Sequence, residues 1–180
     1  MNQGNVIFRI SLMNGLITGI IFIIITALIY LLDINMFSIW FMISMFVVNV
    51  AIIITAIIIT IKKVRESVID KKLNFGHRFL PGLIVGLTAG WLSGLFSYLL
   101  FQIIDPDYML IQAEGFAETL IGMGLSEDDA FAQVDEIKIS LLPIEQLKTN
   151  LLKTPAFFII LSLIISAFIK KEKQLPGEFN

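Results

Sequence analysis

The chain has 180 residues, 57% of them hydrophobic, and its 13 basic against 15 acidic side chains leave a formal charge of −2 with no cysteine. That apolar share exceeds the roughly 45–50% of a soluble domain and points to the bilayer as solvent. No basic cluster is interleaved with aromatics, which argues against nucleic acid as a partner, and without cysteine there is no disulfide framework, thiolate nucleophile or Cys-based metal site.

Four apolar stretches follow one another, each to be set against the ~20 residues that a hydrocarbon core of ~30 Å requires of a helix. Span one runs from about Ile10 to Leu32. It is longer than the ~7–15-residue core of a signal peptide, and no small-x-small cleavage site precedes Asp33, so it is expected to be retained. Asp33, Ile34 and Asn35 leave room for a tight turn, and span two takes Met36 to Ile61. A polar loop from Lys62 to Arg78 leads to span three, Phe79 to Ile104, which Asp105-Pro106 ends. Span four is the shortest: Ala156 to Ile169 supplies 14 uncharged residues, so crossing needs Leu151 and Leu152 as well, with Lys153 snorkelling. The bounds are then 151–169, and the chain is one all-α domain.

Lysine and arginine near span ends stay in the cytoplasm. Arg9, the loop cations Lys62, Lys63, Arg65, Lys71, Lys72 and Arg78, and the tail lysines Lys170, Lys171 and Lys173 fall on one side of a four-span thread. The segment 105–154 falls on the other, with Lys138, Lys148 and Lys153 against ten acids, a net charge of −7. Both termini are therefore expected in the cytoplasm and the acidic segment on the opposite side of the membrane.

That segment carries helical signals. Asp105-Pro106 looks like an N-cap followed by proline at the first helical position, with Met109, Ala113, Phe116 and Leu120 on one face and Gly122 and Gly124 as terminators. Ser126 and Asp129 resemble a capping box, opening a second stripe of Ala130, Val134, Ile137 and Leu141, and Pro143 begins a third helix. The expectation is an amphipathic helical insertion between spans three and four.

In span three Gly82, Gly86, Gly90 and Gly94 recur every fourth residue, and span one has Gly15 and Gly19. Such rows let membrane helices approach closely, so the two are expected to meet; homodimerisation or a close-fitting lipid or substrate are the other uses. Polar side chains inside the spans are few. Asn49 lies near the middle of span two, with Asn14 and Thr88 as candidate partners, either for an interhelical hydrogen bond or for contact with a solute. His77, the only histidine, has no acid or cysteine at ligand spacing. Glu127-Asp128-Asp129 lacks the alternation and glycine of a calcium loop and instead complements the positive end of the helix it opens. Tyr30 and Trp40 suit an interfacial belt, and Trp91, mid-span, suits packing. No catalytic, cofactor-binding or metal-ligating set emerges.

Asn14-Gly15-Leu16-Ile17-Thr18-Gly19, the Phe75-Gly76 pair before a glycine-rich span, Ile104-Asp105-Pro106-Asp107, Gly124-Leu125-Ser126-Glu127 and a lysine-capped last span together resemble a bacterial integral-membrane family of unknown function, domain of unknown function family 4199. The resemblance implies a four-helix inner-membrane protein and carries no catalytic residues. The functional expectation is a non-enzymatic envelope protein that assembles with or supports a membrane-protein partner or further copies of itself; a small carrier or channel subunit comes second and a membrane enzyme third.

Overall fold

A computed structural model describes residues 3–67 and 74–168; Lys71, Lys72, Ile169, Lys170, Lys171 and Lys173 lie outside them. Every regular element among the described residues is helical: α1 (Gln3–Leu31), α2 (Ile39–Ser67), α3 (Phe75–Leu99), α4 (Tyr108–Gly122), α5 (Glu127–Ser140), α6 (Pro143–Lys148) and α7 (Thr154–Phe168). Short π-helical turns extend α3 through Ile104 and join α6 to α7 over Thr149–Lys153. The protein is an all-α membrane bundle with four helices apolar enough to span, Gln3–Leu31, Ile39–Ser67, Phe75–Ile104 and Leu151–Phe168. At 1.5 Å per residue the first three are about 44 Å long and overshoot the ~30 Å core, whereas the fourth reaches about 27 Å.

The overshoot revises the connections. Lys62, Lys63 and Arg65 ride on the last turns of α2, not on a loop, because Val64 between them is fully buried and holds the helix against its neighbours. Arg78 likewise sits in the first turn of α3. Asn74 caps that turn by accepting from the His77 backbone N–H (2.9 Å), and Arg78 is only 8% exposed, its guanidinium carbon 6.0 Å from the Phe75 ring centre. At the other end α2 begins at Ile39 rather than Met36. Asp33 adopts a left-handed φ of 47° and Asn35 Oδ1 accepts from the Phe37 N–H (3.0 Å), so a broader turn replaces the tight one.

α3 is the central helix, packing against α1, α2 and α7. Its core comprises Val85 and Ala89 with Ile7 of α1, Ile53, Ile57, Ile61 and Val64 of α2, and Phe158 and Ile165 of α7. The glycine rows do not face each other, contrary to expectation. A methyl group on Gly86 or Gly90 would strike Phe158 of α7, and one on Gly82 would come within 3.0 Å of Ser162 Oγ and 3.1 Å of Ile57 Cγ2. Methyls on Gly15 and Gly19 of α1 would instead strike Thr88 (2.7 Å) and Leu92 (2.9 Å), close to the Val85 and Ala89 backbone. The physical reason is complementarity: a row of glycines is a groove, and a groove takes a ridge. Val85 and Ala89 lie three residues beyond Gly82 and Gly86, about 60° round the helix, so α3 offers a ridge to α1 and a groove to α7. Gly94 is half-buried.

The insertion folds over the end of the bundle where α1 turns into α2. Phe116, Ala117 and Leu120 of α4 meet Ala130 and Val134 of α5, and Phe37 and Ile39 pack against the same cluster. α4 stops in a Schellman motif: Gly124 takes φ 97°, its N–H donates to Ile121 O (2.9 Å), and Leu125 N–H donates to Leu120 O (3.2 Å). α5 starts where Ser126 Oγ accepts from the Asp129 N–H (3.2 Å) and donates to Asp129 Oδ2 (2.6 Å).

Candidate functional site

The end of the bundle where α1 begins holds the largest polar constellation inside the spans. Asn14 Nδ2 donates to Thr60 Oγ1 (3.0 Å), which donates on to Ala56 O (2.7 Å), while Lys63 Nζ donates to Asn14 Oδ1 (3.1 Å). This clasp ties α1 to α2 through partners that the sequence did not single out for Asn14. Thr88 is not among them; it packs on Gly15. Asn49, half-buried, makes no side-chain hydrogen bond among the described residues and stands eleven residues, about 16 Å, along α2 from Thr60. The three side chains proposed as a polar set are therefore not brought together.

At the opposite end polar contacts fasten the helical cap. Tyr30 donates from its hydroxyl to Asp105 Oδ2 (2.9 Å), whose Oδ1 accepts from the Tyr108 N–H (3.2 Å) as a capping carboxylate would, although regular helix starts only at Tyr108. Gln112 Nε2 donates to Asp33 Oδ1 (3.2 Å), and Gln102 Nε2 to Leu141 O (2.9 Å). The Tyr30 and Tyr108 rings meet edge to face with centres 4.9 Å apart, and Phe101 stacks on Tyr108 at 5.7 Å. Tyr30 thus serves this junction instead of a simple interfacial belt. The Tyr108 hydroxyl is buried with no hydrogen-bond partner among the described residues. Burial, and then the Asp33 carboxylate nearby, raise its pKa above the ordinary 10.0, since both disfavour the phenolate.

The cap buries one face of α5 and shows the other. Lys138 bridges to Glu114 of α4 at 2.9 Å, leaving Glu127, Asp128 and Asp135 exposed around Phe131, itself 56% exposed. These four stand at i−4, i−3, i and i+4 on one helical face, and among the described residues none of the three acids has an ion pair. An acidic, partly apolar surface on a rigid support results.

Elsewhere the bundle offers little chemistry. The hydroxyls of Ser162 and Ser166 in α7 and His77 Nδ1 are buried with no hydrogen-bond partner among the described residues. No group of three or more His, Asp or Glu that could hold a metal occurs among the described residues. Trp91 exposes 49% of its surface, so much of its ring points away from the bundle.

The family profile described as Protein of unknown function (DUF4199) matches residues 13–171. The chain belongs to that family. The DUF4199 match takes in the Asn14–Thr60–Lys63 clasp, the glycine rows and the whole cap. Neither a curated protein nor a solved structure matches the chain.

Proposed function

We propose that this DUF4199 protein is a non-enzymatic membrane protein that assembles with or supports another component of a bacterial envelope through its cap. The observation that carries this reading is the outward face of α5: Glu127, Asp128 and Asp135 around an exposed Phe131, on a helix whose opposite face is anchored by Ala130 and Val134. Its chemistry suits a basic, partly apolar segment of a partner. The end carrying Arg9, Lys62, Lys63, Arg65 and Arg78 is placed in the cytoplasm and the cap outside the inner membrane, on the strength of the cation distribution. A carrier would need Asn14, Asn49 and Thr88 around one wet cavity, and the engagement of Asn14 with Thr60 and Lys63 counts against it.

Purification in mild detergent with stoichiometric identification of what co-elutes tests the reading. A partner protein held by the parent and lost from the Glu127→Gln, Asp128→Asn, Asp135→Asn, Phe131→Ala variant supports it; all four side chains are exposed, so the fold is expected to persist. A partner-free protein that moves a solute into liposomes overturns it. Orientation is read separately from single cysteines at Ser67 and Gln133 in this cysteine-free chain. In cells with an opened outer membrane, an impermeant thiol reagent should label position 133 and spare position 67.

A further inference from the structure

A trough opens on the flank of the bundle between α1 and α2, in two adjoining cavities of about 490 and 500 Å³. Both are lined by Asn14 and Lys63, so the clasp residues lie at their junction. Towards the end where α1 begins, the wall includes Arg9; in the other direction it is Ile17, Ile21, Ala51 and Thr55. Arg9 to Ile21 spans twelve residues of helix, about 18 Å, close to the ~15 Å depth of one leaflet's hydrocarbon. Arg9 and Lys63 mark the charged end, each just beyond an apolar run, at the level where headgroups lie.

Two features identify the occupant. Neither Arg9 nor Lys63 has a carboxylate partner among the described residues. Arg9 makes no side-chain hydrogen bond among them, and the Lys63 ammonium, with three N–H donors, gives one to Asn14 Oδ1. That bond draws the ammonium towards the trough, where a long lysine at a membrane edge otherwise turns to water. The second feature is the match of a cationic mouth to an apolar run of one-leaflet length. A second copy of the chain related by a two-fold axis along the membrane normal would set Arg9 and Lys63 against their own equivalents at the same depth, like charge on like charge.

We infer that the α1–α2 trough is a binding site for an anionic glycerophospholipid. Arg9 and Lys63 hold the headgroup phosphate, Asn14 orients the Lys63 ammonium, and an acyl chain lies along Ile17, Ile21, Ala51 and Thr55. Basic recesses between membrane helices select anionic headgroups in this way.

Native mass spectrometry of the full chain titrated with phosphatidylglycerol or phosphatidylcholine of identical acyl composition reads the site directly. With two cations contributing, the parent should bind the anionic lipid roughly twenty- to thirtyfold more tightly than the zwitterionic one. Arg9→Gln with Lys63→Gln should abolish the preference, whereas Lys62→Gln, an exposed cation at the same end that does not line the trough, should retain it. Thr55→Phe fills the trough without touching the charges and should weaken both lipids. Equal binding of the two lipids by the parent, a preference that survives in the double variant, or equal loss in Lys62→Gln overturns the site. So does a melting shift with inorganic phosphate alone that matches the shift with phosphatidylglycerol, since that would make the cations a phosphate site without a chain.

Discussion

Replacing Gly86 by alanine sets a methyl carbon against Phe158, 2.5 Å from Cγ and 2.9 Å from Cβ, where carbon atoms settle at about 3.5–4.0 Å. The atoms in the way belong to the base of the side chain, so spinning the ring about its own axis does not relieve the clash. Either Phe158 leaves its rotamer or α7 retreats from α3. Overpacking of this kind costs about 1–3 kcal/mol, against which the better helix propensity of alanine returns up to about 1 kcal/mol. The net expectation is a loss of about 1–2 kcal/mol. Gly90→Ala meets Phe158 at Cε2 (2.6 Å) and Thr154 at Cγ2 (2.9 Å), the far ends of both side chains, and should cost less. Equilibrium unfolding in mixed micelles with rising SDS, followed by circular dichroism, measures these differences. The decisive form is a double-mutant cycle with Phe158→Leu, in which Gly86→Ala should become cheaper by about 1 kcal/mol or more. A Gly86→Ala protein as stable as the parent, or a cycle with no coupling, refutes the ridge-in-groove account of the α3–α7 seam.

Other substitutions separate the roles of similar residues. A methyl on Gly115, mid-way along α4, meets nothing within 4 Å, so Gly115→Ala should stabilise by about 0.5–1 kcal/mol, whereas Gly124→Ala, forced to φ 97°, should destabilise by about 1 kcal/mol; thermal melts of the two in detergent should move in opposite directions. Asn14→Leu should lower stability by about 1 kcal/mol through loss of the Thr60 bond, and Asn49→Leu should be silent in the same assay. Tyr108→Phe should melt at or slightly above the parent at pH 7, because its hydroxyl is buried with no hydrogen-bond partner among the described residues. With the folded pKa of Tyr108 raised above 10.0, the group leaves stability unchanged with pH below 10, and as the pH climbs above 10 the unfolded chain ionises first and the parent loses stability. The phenylalanine variant should therefore gain on the parent in alkaline melts, and parallel curves would remove Tyr108 as the titrating group.

Fold class and family were legible because their signals are long. Apolar runs of twenty-odd residues and stripes at helical spacing over α4 and α5 accumulate over many positions. Ends and partners depend on single contacts. The sequence between Lys62 and Arg78 reads as loop on polarity, yet one buried valine and one capping asparagine keep most of its ends helical. Glycine spacing announces close approach without naming what approaches. Thr60 went unnoticed amid isoleucines, though counting outward from the α1–α2 turn puts Asn14 about 21 residues away, nearer the depth of Thr60 at about 25 than of Asn49 at about 14. The trough was out of reach of sequence, since it needs Arg9 and Lys63 to stand on two helices at one height.

The fastening of the cap to the α1–α2 turn bears on how the chain is made. Tyr30 waits for Asp105, 75 residues later, and Asp33 for Gln112, 79 residues later. At a synthesis rate of ~5–20 residues per second that is about 4–16 s, during which the first hairpin sits in the bilayer with its turn uncovered and its phenol and carboxylate facing water. The cap helices α4 and α5, made after the third crossing, are what close that turn. A nascent chain stalled before Asp105 would display Phe37 and Ile39 at that end of the hairpin, apolar surface by which a membrane quality-control system can tell an unfinished bundle from a finished one.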